Sequence, residues 1–390
     1  MFKVVLWDYT GESAEWAKYF FKDNVKIIRT LRPNDADQAE VIMRGDWNFV
    51  LIFEEGQREV FDEIFKTMQE MNISTENIVF AKDFNSWLNN PAAVYALLKP
   101  ETCDNLYREW NFFNHKRWHH YISVSAEGFH YVGTAADNAI MWTTYTRSKN
   151  NTADELKLFH ELSKKYYGTD DSSGIFLELG ANIGTAGIYF CKKIAPNLKW
   201  LAFEPDAENF KLLRINTILN DMEDKATLVN CGLGEEFEEK TMYRNLTNPG
   251  GNGIFNKWLP SERNAPTETI KIIPLDAYLA ENKIAANEIK YIWMDTEGYE
   301  AHVLLGAKNL LAQNPMPIFT EFNPMVWNRT GNFERMMSLL KEVGYTHWIW
   351  VLEMNGIGEE KIYPLDKLWE FKNSNNWIGS LGDIFLIRNI

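Results

Sequence analysis

A strand that closes on a glycine turn and runs straight into a helix, at Ile175–Phe190, gives the first sign of a doubly wound α/β fold. The second is the apolar run Trp200–Phe203, which closes on an acid, Glu204, 26 residues after Glu178. The third is a train of apolar runs at Thr227–Asn230, Tyr291–Met294, Ile318–Phe322, His347–Leu352 and Asp383–Ile387, separated by helical patterns. Together they predict a seven-stranded, doubly wound sheet within residues 166–390. A small α/β domain at 1–100 and a connecting region at 101–165 precede it.

In the N-terminal part, strands are expected at Lys3–Trp7, Val25–Thr30, Phe49–Phe53 and Asn77–Phe80. Helical patterns lie between them, at Ser13–Phe21 and at Glu59–Met71, the latter with Val60, Ile64, Phe65 and Met68 on one face. The turn after the first strand, Asp8-Tyr9-Thr10-Gly11-Glu12, has one glycine, and its two acids would repel a phosphate. A scaffold or oligomerisation domain is the expectation there.

The connecting region is rich in aromatic residues and histidine. His115 and His119 would share a helix face, which raises the question of a metal. No Cys or Asp, and no Glu beyond Glu109, stands at matching spacing, and Lys116 and Arg117 lie between the two histidines. The region reads instead as a solvated basic-aromatic segment. It leads through a helix near Asp154–Tyr166 into the glycine motif, so the entering segment can lie over a ligand cleft.

Composition narrows the class. At 390 residues the chain exceeds one typical domain, and 45% hydrophobic residues supply large cores. A net charge of −14, spread along the chain, argues against a nucleic-acid partner. The three cysteines are far apart, which fits neither a disulfide framework nor a zinc knuckle. The N-terminal residues form a core strand without a signal-like h-region, and no apolar run approaches the ~18 residues needed to span a bilayer. A cytoplasmic, reduced protein without a membrane span is expected.

Strand, glycine turn and helix start place backbone N–H groups beside whatever ligand binds there, and side chains at Gly180 and Gly184 would block that approach. The plainer reading is an ordinary βα turn with Glu204 as a solvated strand end. A dinucleotide fingerprint would need G-x-G-x-x-G, whereas this chain has Gly180-x-x-x-Gly184 with Asn182 between. A second motif ends the strand at Tyr291–Met294, where Asp295, Glu297 and Glu300 surround Gly298. Three carboxylates at one strand mouth repel one another. Capping of a helix at Tyr299–Gln313 would account for one of them, most naturally Glu297. The run Pro317–Pro324 brings Glu321 and Asn323 to the same edge. The insertion Glu235–Lys271 predicts a hairpin, with the glycine-rich stretch Asn248–Gly253 as a substrate-side loop.

Glu178-x-Gly-Ala-Asn-x-Gly184, Phe203-Glu-Pro205, Asp295-x-Glu-Gly-x-Glu300 and Thr320-Glu-Phe-Asn323 occur in that order. This series resembles the FkbM family of S-adenosylmethionine-dependent methyltransferases over about residues 140–325. The resemblance implies a Rossmann-like class I methyltransferase fold with S-adenosylmethionine as cofactor. It implies O-methylation of a hydroxyl on a sugar, polysaccharide or nucleotide-linked sugar, hence a small-molecule or glycan acceptor. Cofactor contacts are expected at Glu178, Gly180, Ala181, Asn182, Gly184, Glu204, Pro205 and Asn230. Many members carry Asp at the position of Glu178, and the resemblance gives residues 1–100 no role.

Two other readings compete. One is a binding module that keeps the cofactor fold without chemistry and acts through its N-terminal domain. The other, a nicotinamide oxidoreductase, lacks the third glycine and an evident Tyr-x-x-x-Lys or His/Asp pair. Among catalytic candidates Asp295 leads as general base. Glu297 and Glu321 would either raise its pKa or join it in holding a divalent ion, a metal that is left open rather than expected. His302 is a rival base expected to face away. Homo-oligomerisation is also left open.

Overall fold

The computed structural model describes residues 1–32, 35–53, 66, 69–70, 77–82, 84–116, 120–137, 139–245, 249–254, 264–322, 327, 331–351, 360–368, 370 and 382–388. It divides into two compact units, Met1–Trp118 with Tyr145–Arg147, and His119–Thr144 with Ser148–Ile390.

The first unit contains β1 (Phe2–Asp8), β2 (Val25–Leu31), β3 (Phe49–Phe53) and β4 (Ile78–Phe80), all parallel, in the order β2-β1-β3-β4. A parallel sheet is covered on both faces, so β1 and β3 are apolar on both. Val4, Leu6, Leu51 and Phe53 pack with Trp87 and Leu97 on one face, and Val5, Trp7, Val50 and Ile52 pack with Ile42 on the other. The helix Ser13–Phe20 follows β1 as its spacing predicts, while Glu59–Met71 falls almost wholly outside the described residues. In the β1 turn, Asp8 accepts hydrogen bonds from the N–H groups of Thr10, Gly11 and Ser13 and from the Ser13 hydroxyl. Burial opposes its charge, yet these bonds, led by Ser13, hold its carboxyl below the usual range. The donors a phosphate would need are taken by the chain's own carboxylate.

The expected connecting region is shared between the units: the helix Pro100–Lys116 belongs to the first and a hairpin to the second. That hairpin, β5 (Tyr121–Ala126) and β6 (Phe129–Thr134), turns through Glu127 and Gly128, both at positive φ as a tight two-residue turn requires. Its β6 edge is capped by amides: Asn216 bonds both the N–H and C=O of Val132, and Asn220 does the same for His130. The side chains of His115 and His119 lie outside the described residues.

Further along come β7 (Ile175–Leu179), β8 (Lys199–Phe203), β9 (Ala226–Val229), β10 (Gly232–Leu233), β11 (Glu238–Asn245) and β12 (Asn264–Ile273). They are followed by β13 (Ile289–Met294), β14 (Ile318–Phe322), β15 (Tyr345–Trp350), β16 (Ile362–Pro364) and β17 (Gly382–Arg388). The main sheet runs β16-β15-β17-β14-β13-β7-β8-β9. It therefore has eight strands among the described residues, not the expected seven. The addition, β16, is a three-residue antiparallel edge ending in proline, too short and too irregular to show a period. β11 and β12 form the expected hairpin of the insertion, with β10 added alongside β12.

The chain lays down β7, β8 and β9 in one direction and then returns to place β13 on the other side of β7. At such a reversal a crevice opens beyond the carboxyl ends of the strands. Phe159 of the helix Ala153–Tyr167 covers one face of the sheet, against Tyr291, Trp293, Phe319 and Phe385. The helix expected over Tyr299–Gln313 is two helices, Glu300–Leu305 and Lys308–Gln313. They part at Gly306, where a Cβ would lie 1.9 Å from the Gly234 carbonyl oxygen. Among the described residues no helix is long and apolar enough to cross a membrane.

Candidate active site

A cleft of about 970 Å³, counted with the open solvent at its mouth, lies at this crevice. Its floor is the turn after β7. Gly180 and Ala181 donate their N–H groups to the Phe203 carbonyl at 3.0 and 2.9 Å, clipping the turn to the end of β8. Gly180 has φ +87°, and a Cβ there would stand 1.8 Å from the Asp295 carbonyl oxygen. The glycine is thus demanded by the approach of β13, rather than by a ligand. Gly184 is likewise a packing glycine: its Cβ would meet Leu213 at 2.6 Å, and it does not line the cleft. Ala181 and Asn182 do line it, Asn182 at φ +52°.

Both acids of the first motif are buried on the cleft wall. Glu178 Oε2 accepts the Trp200 indole N–H at 2.7 Å. Glu204 Oε2 accepts the Asn182 N–H at 2.7 Å, and its Oε1 accepts the Asp206 N–H at 2.8 Å. Burial pushes each carboxyl up to about 8, against the pull of these hydrogen bonds; the charge of Asp295 adds to both, with that of Glu204 at Glu178 and that of Asp206 at Glu204. Pro205 also lines the cleft. Asn230 does not: its amide donates to the carbonyls of Glu204 and Pro205, so it braces the β8 turn from outside.

The second motif separates into two jobs. Glu300 is fully buried and holds the loop: its Oε1 accepts the N–H and hydroxyl of Thr296 and the N–H of Gly298, and its Oε2 accepts the Trp327 indole N–H. The helix cap expected of Glu297 is not among the described hydrogen bonds: the N-cap residue is Tyr299, without a side-chain cap, while Glu300 holds the loop that precedes the helix. Asp295 and Glu297 line the cleft instead, Glu297 at φ +53°. Asp295 is reached by solvent inside a concavity walled by protein. Desolvation first, then the charges of Asp383 and Glu300, raise its pKa. Glu321 stands beside the cleft rather than on its wall. Its carboxyl is raised by burial and by Asp295, and its Oε2 is buried without a hydrogen-bond partner among the described residues. Asp383 pairs in register with Glu321 across β14 and β17, and burial lifts it to about 6. Sequence reading missed Asp383, because nothing in the sequence announces which strand closes beside β14. Asn323 lies outside the described residues. His302 does not line the cleft; it stacks on Tyr299 and meets Asn332 at 2.8 Å.

The other walls come from two segments. Gly250, Asn252, Gly253 and Ile254 bring the glycine-rich loop to the cleft as expected, anchored by Asn252 Nδ2 donating to buried Asp206 at 3.1 Å. Upstream, Ile140, Asn151 and Thr152 line it too, so the entering segment does reach the ligand space. No Lys, Arg or His lines the cleft among the described residues, while Glu178, Glu204, Asp295 and Glu297 all do. Among the described residues no group of three or more His, Cys, Asp or Glu is arranged to hold a metal ion.

The family model described as methyltransferase FkbM domain matches residues 178–346, which span both acidic motifs. No curated protein matches the chain. Among solved structures, the methyltransferase FkbM of Methylobacillus flagellatus is 14% identical, covering 86% of this chain and 84% of its own at a TM-score of 0.31. A precorrin-6y C5,15-methyltransferase of Geobacter metallireducens is 10% identical, covering 60% of this chain and 88% of its own, at a TM-score of 0.31. From the glycine turn through both acidic motifs, residues 178–346, this chain carries a methyltransferase FkbM domain.

Proposed function

We propose that this protein is an S-adenosylmethionine-dependent O-methyltransferase acting on a hydroxyl of a sugar or polysaccharide. The observation that carries the cofactor reading is Glu204. Each of its oxygens accepts one backbone N–H and keeps further acceptor capacity, which suits the two hydroxyls of a ribose. A cleft walled by four carboxyl groups, whose ionisation a bound cation favours, and with no basic lining side chain among the described residues, also suits a cationic ligand. The same charge balance fits a nucleotide-linked acceptor poorly, since nothing described there would pair with its phosphates.

Bound there, S-adenosylmethionine supplies an electrophilic methyl group on a sulfonium. The chain's part is placement and proton transfer. Glu204 fixes the ribose, and the loop Gly250–Gly253 borders the space left for an acceptor. Asp295, at the end of the strand beside the turn, takes the hydroxyl proton as the oxygen attacks; its raised pKa makes it a better base than an ordinary carboxylate. Asp383 and Glu300, rather than the expected Glu297 and Glu321, sustain that pKa with their negative charge.

Thermal-shift measurements with S-adenosylmethionine, S-adenosylhomocysteine and NAD test the cofactor: the first two should raise the unfolding temperature and NAD should not. Incubation with S-adenosylmethionine and a panel of neutral glycans, read by mass spectrometry, tests the acceptor. For the first unit we propose scaffolding or self-association, which the mass of the protein in solution checks.

A further inference from the structure

Asn151 stands on the cleft wall, and its Oδ1 is buried without a hydrogen-bond partner among the described residues. A buried carbonyl oxygen left without a donor is destabilising, and folded proteins keep few of them. In a ligand cleft, the missing donor points to the ligand. Nor is the residue loosely held, because its neighbour Asn150 is clamped from several sides. Asn150 Nδ2 donates to the Tyr131 hydroxyl at 3.0 Å and to the Thr185 carbonyl at 2.8 Å. Its Oδ1 accepts both the N–H and the hydroxyl of Thr152, and its own N–H donates to Glu127.

The bond to Thr185 fixes this segment at the start of the helix that follows the glycine turn. Asn151 therefore belongs to the polar end of the cleft, by Gly180–Thr185. Cys231, Leu233 and Ile272 are apolar lining residues; Cys231 follows β9, which lies beyond β8 from β7 in the sheet, and this side suits a planar base. With the ribose at Glu204 between them, the polar end receives the amino-acid portion of the cofactor. Its ammonium carries three N–H donors and a charge that this acidic cleft favours.

We propose that Asn151 Oδ1 accepts a hydrogen bond from the α-ammonium of bound S-adenosylmethionine, which makes Asn151 a positioning residue for the methyl donor. The inference rests on the cofactor reading above. It assigns a binding role to the segment upstream of residue 178, where the matched domain begins.

Calorimetry on the full chain tests it with three probes: S-adenosylmethionine, S-adenosylhomocysteine and 5′-methylthioadenosine, which lacks the amino-acid portion. Asn151→Ala should weaken the first two by about tenfold or more and leave the third unchanged. Asn151→Asp, which offers a charged acceptor of the same shape, should restore them. Should the alanine variant not fold, Asn151→Ser must show the same selective loss. Unchanged affinity for S-adenosylmethionine overturns the proposal, as does equal weakening of all three probes or an aspartate variant as weak as the alanine one. Wild-type protein that binds none of the three would overturn the cofactor reading itself, and this inference with it.

Discussion

The Trp200 indole N–H donates to Glu178 in the space that Gly187 leaves open: a Cβ at Gly187 would come within 2.1 Å of Trp200 and 2.3 Å of Glu178 Oε2. The first acid of the glycine motif is therefore a packed, hydrogen-bonded core carboxyl as well as part of the cleft wall. Trp200→Phe removes the donor together with part of the buried indole. It should lower stability by at least about 1–3 kcal/mol, read from the denaturant midpoint, because Glu178 loses its indole partner and keeps only the Gly187 N–H, and the missing ring leaves a void.

Stability should also depend on pH through Glu178 and Glu204. Burial raises both to about 8 in the folded chain, against about 4.5 when exposed. Between those values the folded protein holds protons that the unfolded chain has released. The stabilisation is fully present below about pH 4.5 and is lost as pH rises through about 8. Ligand-free protein should unfold at a higher temperature near pH 6 than near pH 9. The double variant Glu178→Gln/Glu204→Gln should flatten that slope, and an equally steep slope in it would show that other groups carry the effect.

Glu204→Ala should weaken S-adenosylmethionine binding at least tenfold, from loss of charge-assisted bonds worth roughly 1.5–3 kcal/mol. The same change frees the N–H groups of Asn182 and Asp206, so a modest drop in unfolding temperature should accompany it. Calorimetry showing wild-type affinity would sink the ribose assignment.

Gly180 should prove a folding residue. A side chain at φ +87° costs about 1–3 kcal/mol by itself, and the 1.8 Å approach of the Asp295 carbonyl adds a backbone clash. Gly180→Val should fail to give a cooperatively folded second unit. A well-folded variant that merely loses cofactor affinity would restore the ligand-clearance explanation.

Asp295→Asn keeps the shape and removes the base. Turnover should fall by roughly 10²-fold with cofactor affinity little changed. In the wild type, kcat should rise with pH through the elevated pKa of Asp295, and the variant should lose that limb. Turnover near normal in the variant, together with wild-type activity indifferent to EDTA, would remove both the base and the metal from consideration.

All seven strands expected of the main sheet are present, because each is an apolar-rich run with clear ends, even the four-residue β9. β16 and the β5–β6 hairpin were hidden for opposite reasons. The first has three residues, and the second alternates buried and exposed positions across residues that read as a histidine-rich surface. Motif spacing brought Glu178, Glu204, Asp295 and Glu297 to one cleft. It could not assign duties within a motif, since Glu297 and Glu300 are three residues apart and chemically alike. Nor could it distinguish Asn230, which braces a turn, from Asn151, whose place depends on the clamp that Asn150 makes with Thr185.

Glu300 has a consequence for how this loop can vary. One buried carboxylate anchors Thr296, Gly298 and Trp327. Asp295 adds a bond from the Glu297 N–H, so Glu297 is the acid whose side chain is not tied to the backbone by a described bond. Chemistry and architecture are carried by different side chains on the same ten-residue stretch. A change of acceptor could then be met by substitution at 297 on an unmoved frame, whereas substitution at 300 would dismantle the frame and leave no site to alter.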